Sequence, residues 1–373
     1  MTNPSPSGWP AARTAHLAGG CRAINGFDPV VRLFPTTMDR QELSFQLREY
    51  GSLYAGLEVR GIAPIGFEFL STSLDARGLV PTDWRSFHPW GGKNVWPCHD
   101  QMDEWAQIAY AASKSNNADL WDLARRLSHQ LRVCAWRLYQ VSEAYHAQLR
   151  ARTADPSFKA GTRFTDGFTW LAYLAVQAFL VDACVLRDYL AEFFVAHICP
   201  ESARPSAHIA TMAGAKKHVL NKIQSADPIF AELSAATSKD GWLFLLGAYR
   251  DLSVHCVPLA RAGSKLWALG TEFPIKGANP LTGVSLPLPA DPSGIAAARA
   301  SPKRTDRLVE ELRLMTSASL GEVSHTDALA YCYASLDALT RLTIKMRKHS
   351  PVEPEIPLIT EKDVIGEIEI RRV

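Results

Sequence analysis

Apolar residues recur at steps of three and four through most of the chain, and that spacing predicts helices. Leu120, Leu123, Leu127, Leu131, Cys134, Leu138, Val141 and Tyr145 fall on one face of a helix that Asn117 would cap and that runs to about residue 152. Arg125, Gln130, Arg137 and Gln140 fall largely off that stripe. Residues 170–197 form a second long helix, apolar over a broad surface through Leu171, Leu174, Phe179, Leu186, Leu190 and Phe193. That breadth places it centrally in a bundle or at a subunit interface, and Pro200 and Pro205 stop it. Further helices are expected over 39–59, 100–115, 206–224, 228–236, 242–260, 305–316 and 324–349. Residues 1–37 show little periodicity. Residues 281–288 and the tail, where Ile368 and Ile370 alternate, read as extended, and the Gly/Pro-marked stretch 61–97 reads as an ordered, aromatic-rich loop region with room for short strands. The expectation is a mainly α protein: an N-terminal helical region over 1–155, a helical bundle over 156–350 and a tail over 351–373. The boundary falls at the turn-forming run Ala154-Asp155-Pro156-Ser157.

Composition refines this picture. With 373 residues, 47% hydrophobic and 21% charged, the chain can bury a large core. A formal net charge of +2 excludes a polybasic nucleic-acid binder but leaves room for a local basic patch. Seven cysteines with no C-x-x-C pair read as reduced thiols of a cytoplasmic protein. Residues 1–10 lack the apolar segment of a secretory leader. Asp182, Arg187 and Asp188 interrupt the longest apolar stretch, so no membrane span is expected.

The chemistry-bearing segment is Tyr249-Arg250-Asp251-Leu252-Ser253-Val254-His255. Leu245, Tyr249, Leu252, Cys256 and Leu259 would face the core, with His255 on the flank of that stripe. Asp251, four residues before His255, can reach its imidazole and fix the tautomer. Arg250 points to the far side of an α-helix, so one copy makes an awkward site. Two copies across a two-fold axis could bring two arginines and two histidines into one cleft. Histidine can move a proton near neutral pH, and arginine can bind a phosphate and offset charge in the transition state. A ribose 2′-hydroxyl as nucleophile requires no metal. Pro258 ends or kinks this helix. Lys216, Lys217 and Lys222 make one basic helix face, and Arg304 with its neighbours makes another; either can track an RNA backbone. His88, Cys98, His99 and Asp100 fall in and beside a Trp-rich loop. The adjacent Cys98-His99-Asp100 lacks the spacing of a tetrahedral zinc site, so neither metal nor cofactor is expected.

The Arg250–x4–His255 pair late in a run of helices resembles the HEPN family (higher eukaryotes and prokaryotes nucleotide-binding), over about residues 160–349. The resemblance implies a homodimeric, metal-independent endoribonuclease with Arg250 and His255 as catalytic pair and Asp251 at the variable polar position. It also implies RNA as substrate, a toxin or defence role, and an antitoxin or regulatory protein as partner. The alternative that stays open is a non-catalytic helical module binding a nucleotide or a protein.

Overall fold

The computed structural model describes residues 9–35, 41–72, 75, 77–90, 95–223, 225–256, 267–289, 291–294 and 326–357, with backbone only at 255 and 256. Helix takes about 54% and strand about 17%, which corrects the mainly α expectation to a mixed α/β fold. The correction is largest at the N-terminus. There β1 (Ala12–Leu17), β2 (Arg22–Asn25), β3 (Val30–Phe34), β4 (Leu43–Gln46), β5 (Pro64–Leu70) and β6 (Asp83–Ser86) form one antiparallel sheet in the order β4-β3-β2-β1-β5-β6. The helix expected over 39–59 is strand β4 followed by the short helix α1 (Leu53–Val59).

The strands escaped the sequence because both sheet faces are covered and one is covered by polar chemistry. Ala15, Val31, Phe45 and Phe67 make an ordinary apolar face. On that side Arg60 lies over the Phe45 ring, and the Phe87 ring bridges Tyr54 of α1 to Phe67. The opposite face carries His16, Arg22 and Trp84, all buried. A strand with buried charged residues loses the apolar–polar alternation that marks a half-buried strand.

Over that polar face runs α3 (Ala118–Thr153), 36 residues long. Asn117 caps it, accepting from the Leu120 amide at 3.1 Å. The expected stripe from Leu120 to Tyr145 is buried. The helix packs on α2 (Pro97–Lys114), on α4 (Gly167–Phe193) and on α8 (Ala328–Arg347). Its close approach to the β1–β2 turn requires glycine. Gly20 has φ +80°, and a Cβ there would lie 2.6 Å from the Tyr145 carbonyl oxygen. Helices α5 (Met212–Ala215), α6 (Pro228–Thr237) and α7 (Trp242–Asp251) complete the helical layer. A second antiparallel sheet orders β7 (Arg163–Phe164), β8 (Ala268–Ile275) and β9 (Ala278–Ser285). The helix expected over 305–316, Arg304 and the tail strand lie outside the described residues.

α4 continues through a π turn to Ile198, and Gly167–Ile198 is long and apolar enough to cross a membrane, with half of its most apolar window buried in the protein. Its outward face exposes Trp170, Leu171, Leu174 and Val181.

One carboxylate ties three distant segments together. Asp327 Oδ1 accepts from Tyr145 OH on α3 at 2.9 Å, and from Ser285 Oγ at 2.8 Å and the Leu286 amide at 3.0 Å at the end of β9. Its Oδ2 caps α8 through the Ala330 amide at 3.0 Å. A second carboxylate, Asp337, anchors the Trp-rich loop. Trp90 Nε1 and Arg341 Nε donate to it, and His88 Nδ1 lies 3.2 Å away. His88 stacks on Tyr333, and Cys98 is buried with its thiol toward the Leu131 carbonyl. Burial raises the Asp337 pKa, but His88, Arg341 and Trp90 outweigh it and hold the carboxyl at about 2.

Asp327→Ala strands a phenol, a hydroxyl and two amides, and is expected to cost about 2–4 kcal/mol in urea unfolding at neutral pH. Because Asp337 titrates lower in the folded chain, its contribution is full above its ordinary value of 3.8 and lost as pH falls through about 2. Wild type should therefore exceed Asp337→Asn by about 1–3 kcal/mol at mildly acidic pH and lose that advantage in strong acid, read by chemical unfolding across pH.

Candidate active site

The chemistry-bearing helix is α7, whose buried face is Leu243, Leu246 and Tyr249, with Leu252 just beyond; Leu245 sits at the edge of that face. Tyr249 pins it, donating to the Pro289 carbonyl at 2.8 Å and packing its ring 4.9 Å from Tyr331 of α8. At Leu252 the helix changes register to a π turn, Leu252–Cys256. Ser253 Oγ is 2.9 Å from the carbonyls of both Tyr249 and Arg250, satisfying oxygens at the transition. The turn alters the expected azimuths. Hydrogen bonding from i to i+5 winds each residue through a smaller angle, so position 255 sits closer to the side of position 250 than an α-helix allows.

Arg250 and Asp251 open onto a cavity of about 370 Å³ between α4, α5 and α7. The structure brings a third predicted residue there, Lys216, which opens the π turn following α5 and donates to the Thr237 carbonyl. It adds one that sequence reasoning missed. Arg187, only 7% exposed, reaches the cavity from α4, where it had been read as an interruption of an apolar stretch. Gly247 is the local signal for it: a Cβ there would stand 2.7 Å from Arg187 Nη1. Lys217 and Lys222 are exposed and do not line the cavity.

The electrostatics favour an anion. Asp188 pairs with Arg187 at 3.0 Å and also accepts the Met212 amide at 3.0 Å. Asp251 lies 3.2 Å from Arg250 Nε, within ionic reach. Among the described residues the buried Arg250 Nε nonetheless lacks a partner with hydrogen-bond geometry, as does the buried Ser293 Oγ on the same cavity. Three cations, one carboxylate and two polar groups without a hydrogen-bond partner among the described residues line one open space, an arrangement that an oxyanion would complete. Arg187 and Arg250 also act on the same buried thiol. Burial raises the Cys184 pKa, and the two guanidinium groups oppose that rise. Asp251 meets Arg250, and the His255 side chain that it is expected to orient lies outside the described residues.

No family model, curated protein or solved structure matches the chain.

Gly247→Ala gains helix propensity of about 1 kcal/mol but pushes the Arg187 guanidinium out of place. Its unfolding free energy should stay within about 1 kcal/mol of wild type, while affinity of the cavity for inorganic phosphate, read by calorimetry, should fall several-fold.

Proposed function

We propose that this protein is a metal-independent endoribonuclease of HEPN type. In this reading Arg250 and His255 act together, and Arg187 and Lys216 hold the backbone phosphate beside the bond to be cut. The observation that supports it best is a cavity lined together by Arg250, Arg187 and Lys216, with the buried Arg250 Nε left without a hydrogen-bond partner among the described residues. Catalysis would follow from those roles. An imidazole removes the proton of the ribose 2′-hydroxyl, whose oxygen attacks the adjacent phosphorus. The bond from phosphorus to the 5′-oxygen breaks, that oxygen takes a proton from an imidazolium, and a 2′,3′-cyclic phosphate remains. The guanidinium groups offset the charge that builds on the phosphoryl oxygens. Two imidazoles in one cleft could divide the base and acid roles, which a second copy of the chain would supply. The exposed Trp170, Leu171, Leu174 and Val181 on α4 offer a face for that copy.

One observation favours a second reading. Arg250 already meets Asp251 within its own chain, which suits a phosphate clamp that binds RNA or a nucleotide without cutting it.

A digest of total RNA by purified protein in EDTA separates the two. The first reading expects cleavage with cyclic phosphate ends, falling by about two orders of magnitude or more in His255→Ala and in Arg250→Ala. It expects Arg187→Gln to weaken substrate binding more than turnover. Intact RNA with wild type, together with oligonucleotide binding that Arg250→Ala removes, would replace the enzyme with the clamp. Intact RNA and no binding would remove both.

A further inference from the structure

A second cluster of charged side chains lies where the six-stranded sheet meets α3, and it shares no residue with the Arg250 cavity. His16 on β1 is paired across the sheet with Gly66 of β5, and Glu68 sits two residues along on the same face. Gly66 leaves that face open. The Trp84 indole occupies the space, 2.1 Å from where a Cβ would stand, and donates its Nε1 hydrogen to the Ala135 carbonyl at 2.9 Å. The Trp84 ring then walls one side of His16 at 4.7 Å, and Tyr139 walls another at 5.6 Å. From α3, Ser142 and Glu143 complete the cluster. His16 is fully buried, while the Glu68 and Glu143 side chains are 22% and 42% exposed, so solvent reaches the carboxylates but not the ring.

We propose that His16, Glu68 and Glu143 bind a divalent first-row transition-metal ion. One donor atom from each lies within 4.8 Å of the other two. His16 Nε2 touches Glu68 Oε1 and stands 3.9 Å from Glu143 Oε1. An ion bonded to each at about 2.0–2.2 Å needs only small rotations of the two glutamates to gather all three.

The surroundings are those of a ligand set. His16 Nδ1 lies 3.0 Å from Ser142 Oγ. With the proton on Nδ1 donated to that hydroxyl, the Nε2 lone pair faces the carboxylates; partners of this kind fix the tautomer of a metal-binding histidine. Arg22 engages only one of the three ligands, as a hydrogen-bond donor to the Glu143 carboxylate. Its guanidinium is 2% exposed and is spent on the Cys21 carbonyl at 3.0 Å, the Ser142 carbonyl at 3.0 Å and Glu143 Oε1 at 2.7 Å. It holds Glu143 in position, and two carboxylates against one guanidinium leave the cluster with excess negative charge once both are ionised. Burial, and then the facing Glu143, push the Glu68 carboxyl up to about 7, a crowding that a cation relieves. One imidazole with two carboxylates suits Mn²⁺, Fe²⁺ or Zn²⁺ better than the thiolate-seeking Cu⁺ or the all-oxygen sites of Ca²⁺. Three protein ligands at a solvent-reached edge leave a position for water.

The test uses full-length protein stripped with EDTA, dialysed and titrated separately with Zn²⁺ and Mn²⁺. Retained metal is read by elemental analysis after gel filtration and affinity by calorimetry. Wild type is expected to keep one ion per chain. Glu68→Gln and Glu143→Gln should each weaken binding by at least about tenfold, and Ser142→Ala by a similar factor through the freed imidazole. Arg250→Ala should bind the ion as wild type does, whatever becomes of RNA cleavage. Ser142→Ala leaves the Arg22–Glu143 pair and the Ser142 carbonyl in place, so it keeps the test alive if a glutamine variant does not fold. Wild type that retains neither ion, or glutamine variants that retain it equally, would overturn the site.

Discussion

Everything in this fold is arranged around a 36-residue helix that is covered along its length. α3 must satisfy two different surfaces at once. Toward α2, α4 and α8 it presents leucines, which need only close packing. Toward the sheet it presents Ser142, Glu143 and Tyr139 to His16, Arg22 and Glu68, where each buried polar group must find a partner. Arg22 shows how strictly this is met, with its guanidinium bonded to two carbonyls and a carboxylate although it is almost wholly enclosed. A buried charge so surrounded is costly to break from one side, so it makes the seating of the sheet on the helix specific in register as well as adhesive.

The Arg250 cavity follows a different logic. Its polar groups are left short of partners, and three π turns border the helices nearby, after α4, α5 and α7. Such turns spend regular hydrogen bonding to re-aim a few residues, and they concentrate where geometry serves something other than stability. Arg187 reaches this space only because Gly247 carries no side chain. The two regions thus divide the molecule into a closed polar interface and an open one.

The long helices were legible because their apolar positions repeat at the helical period, and Asn117 and the later prolines marked ends. The six-stranded sheet was not, beyond the short strands that the stretch 61–97 allowed where β5 and β6 lie. Its strands are short, and in Ala12–Leu17 a buried His16 stands where the pattern asks for an apolar residue. In the candidate site Arg250, Asp251 and Lys216 could be named from local sequence, since each sits on a recognisable helix. Arg187 could not, because it comes within reach of Arg250, 63 positions further along the chain, only through the packing of α4 on α7. His16, Glu68 and Glu143 are further apart still, and no spacing rule joins residues on two strands and a helix.

The Asp327 carboxylate has a bearing on how the chain reaches this state. Three of its four donors, from Tyr145, Ser285 and Leu286, are made earlier by the ribosome. During synthesis the middle of α3 carries a phenol whose acceptor does not yet exist, and β9 ends on donors with nothing to bind. A nascent chain stalled before residue 327 would hold α3 without the carboxylate that fastens it, so that fastening waits for the start of α8 long after the sheet has emerged.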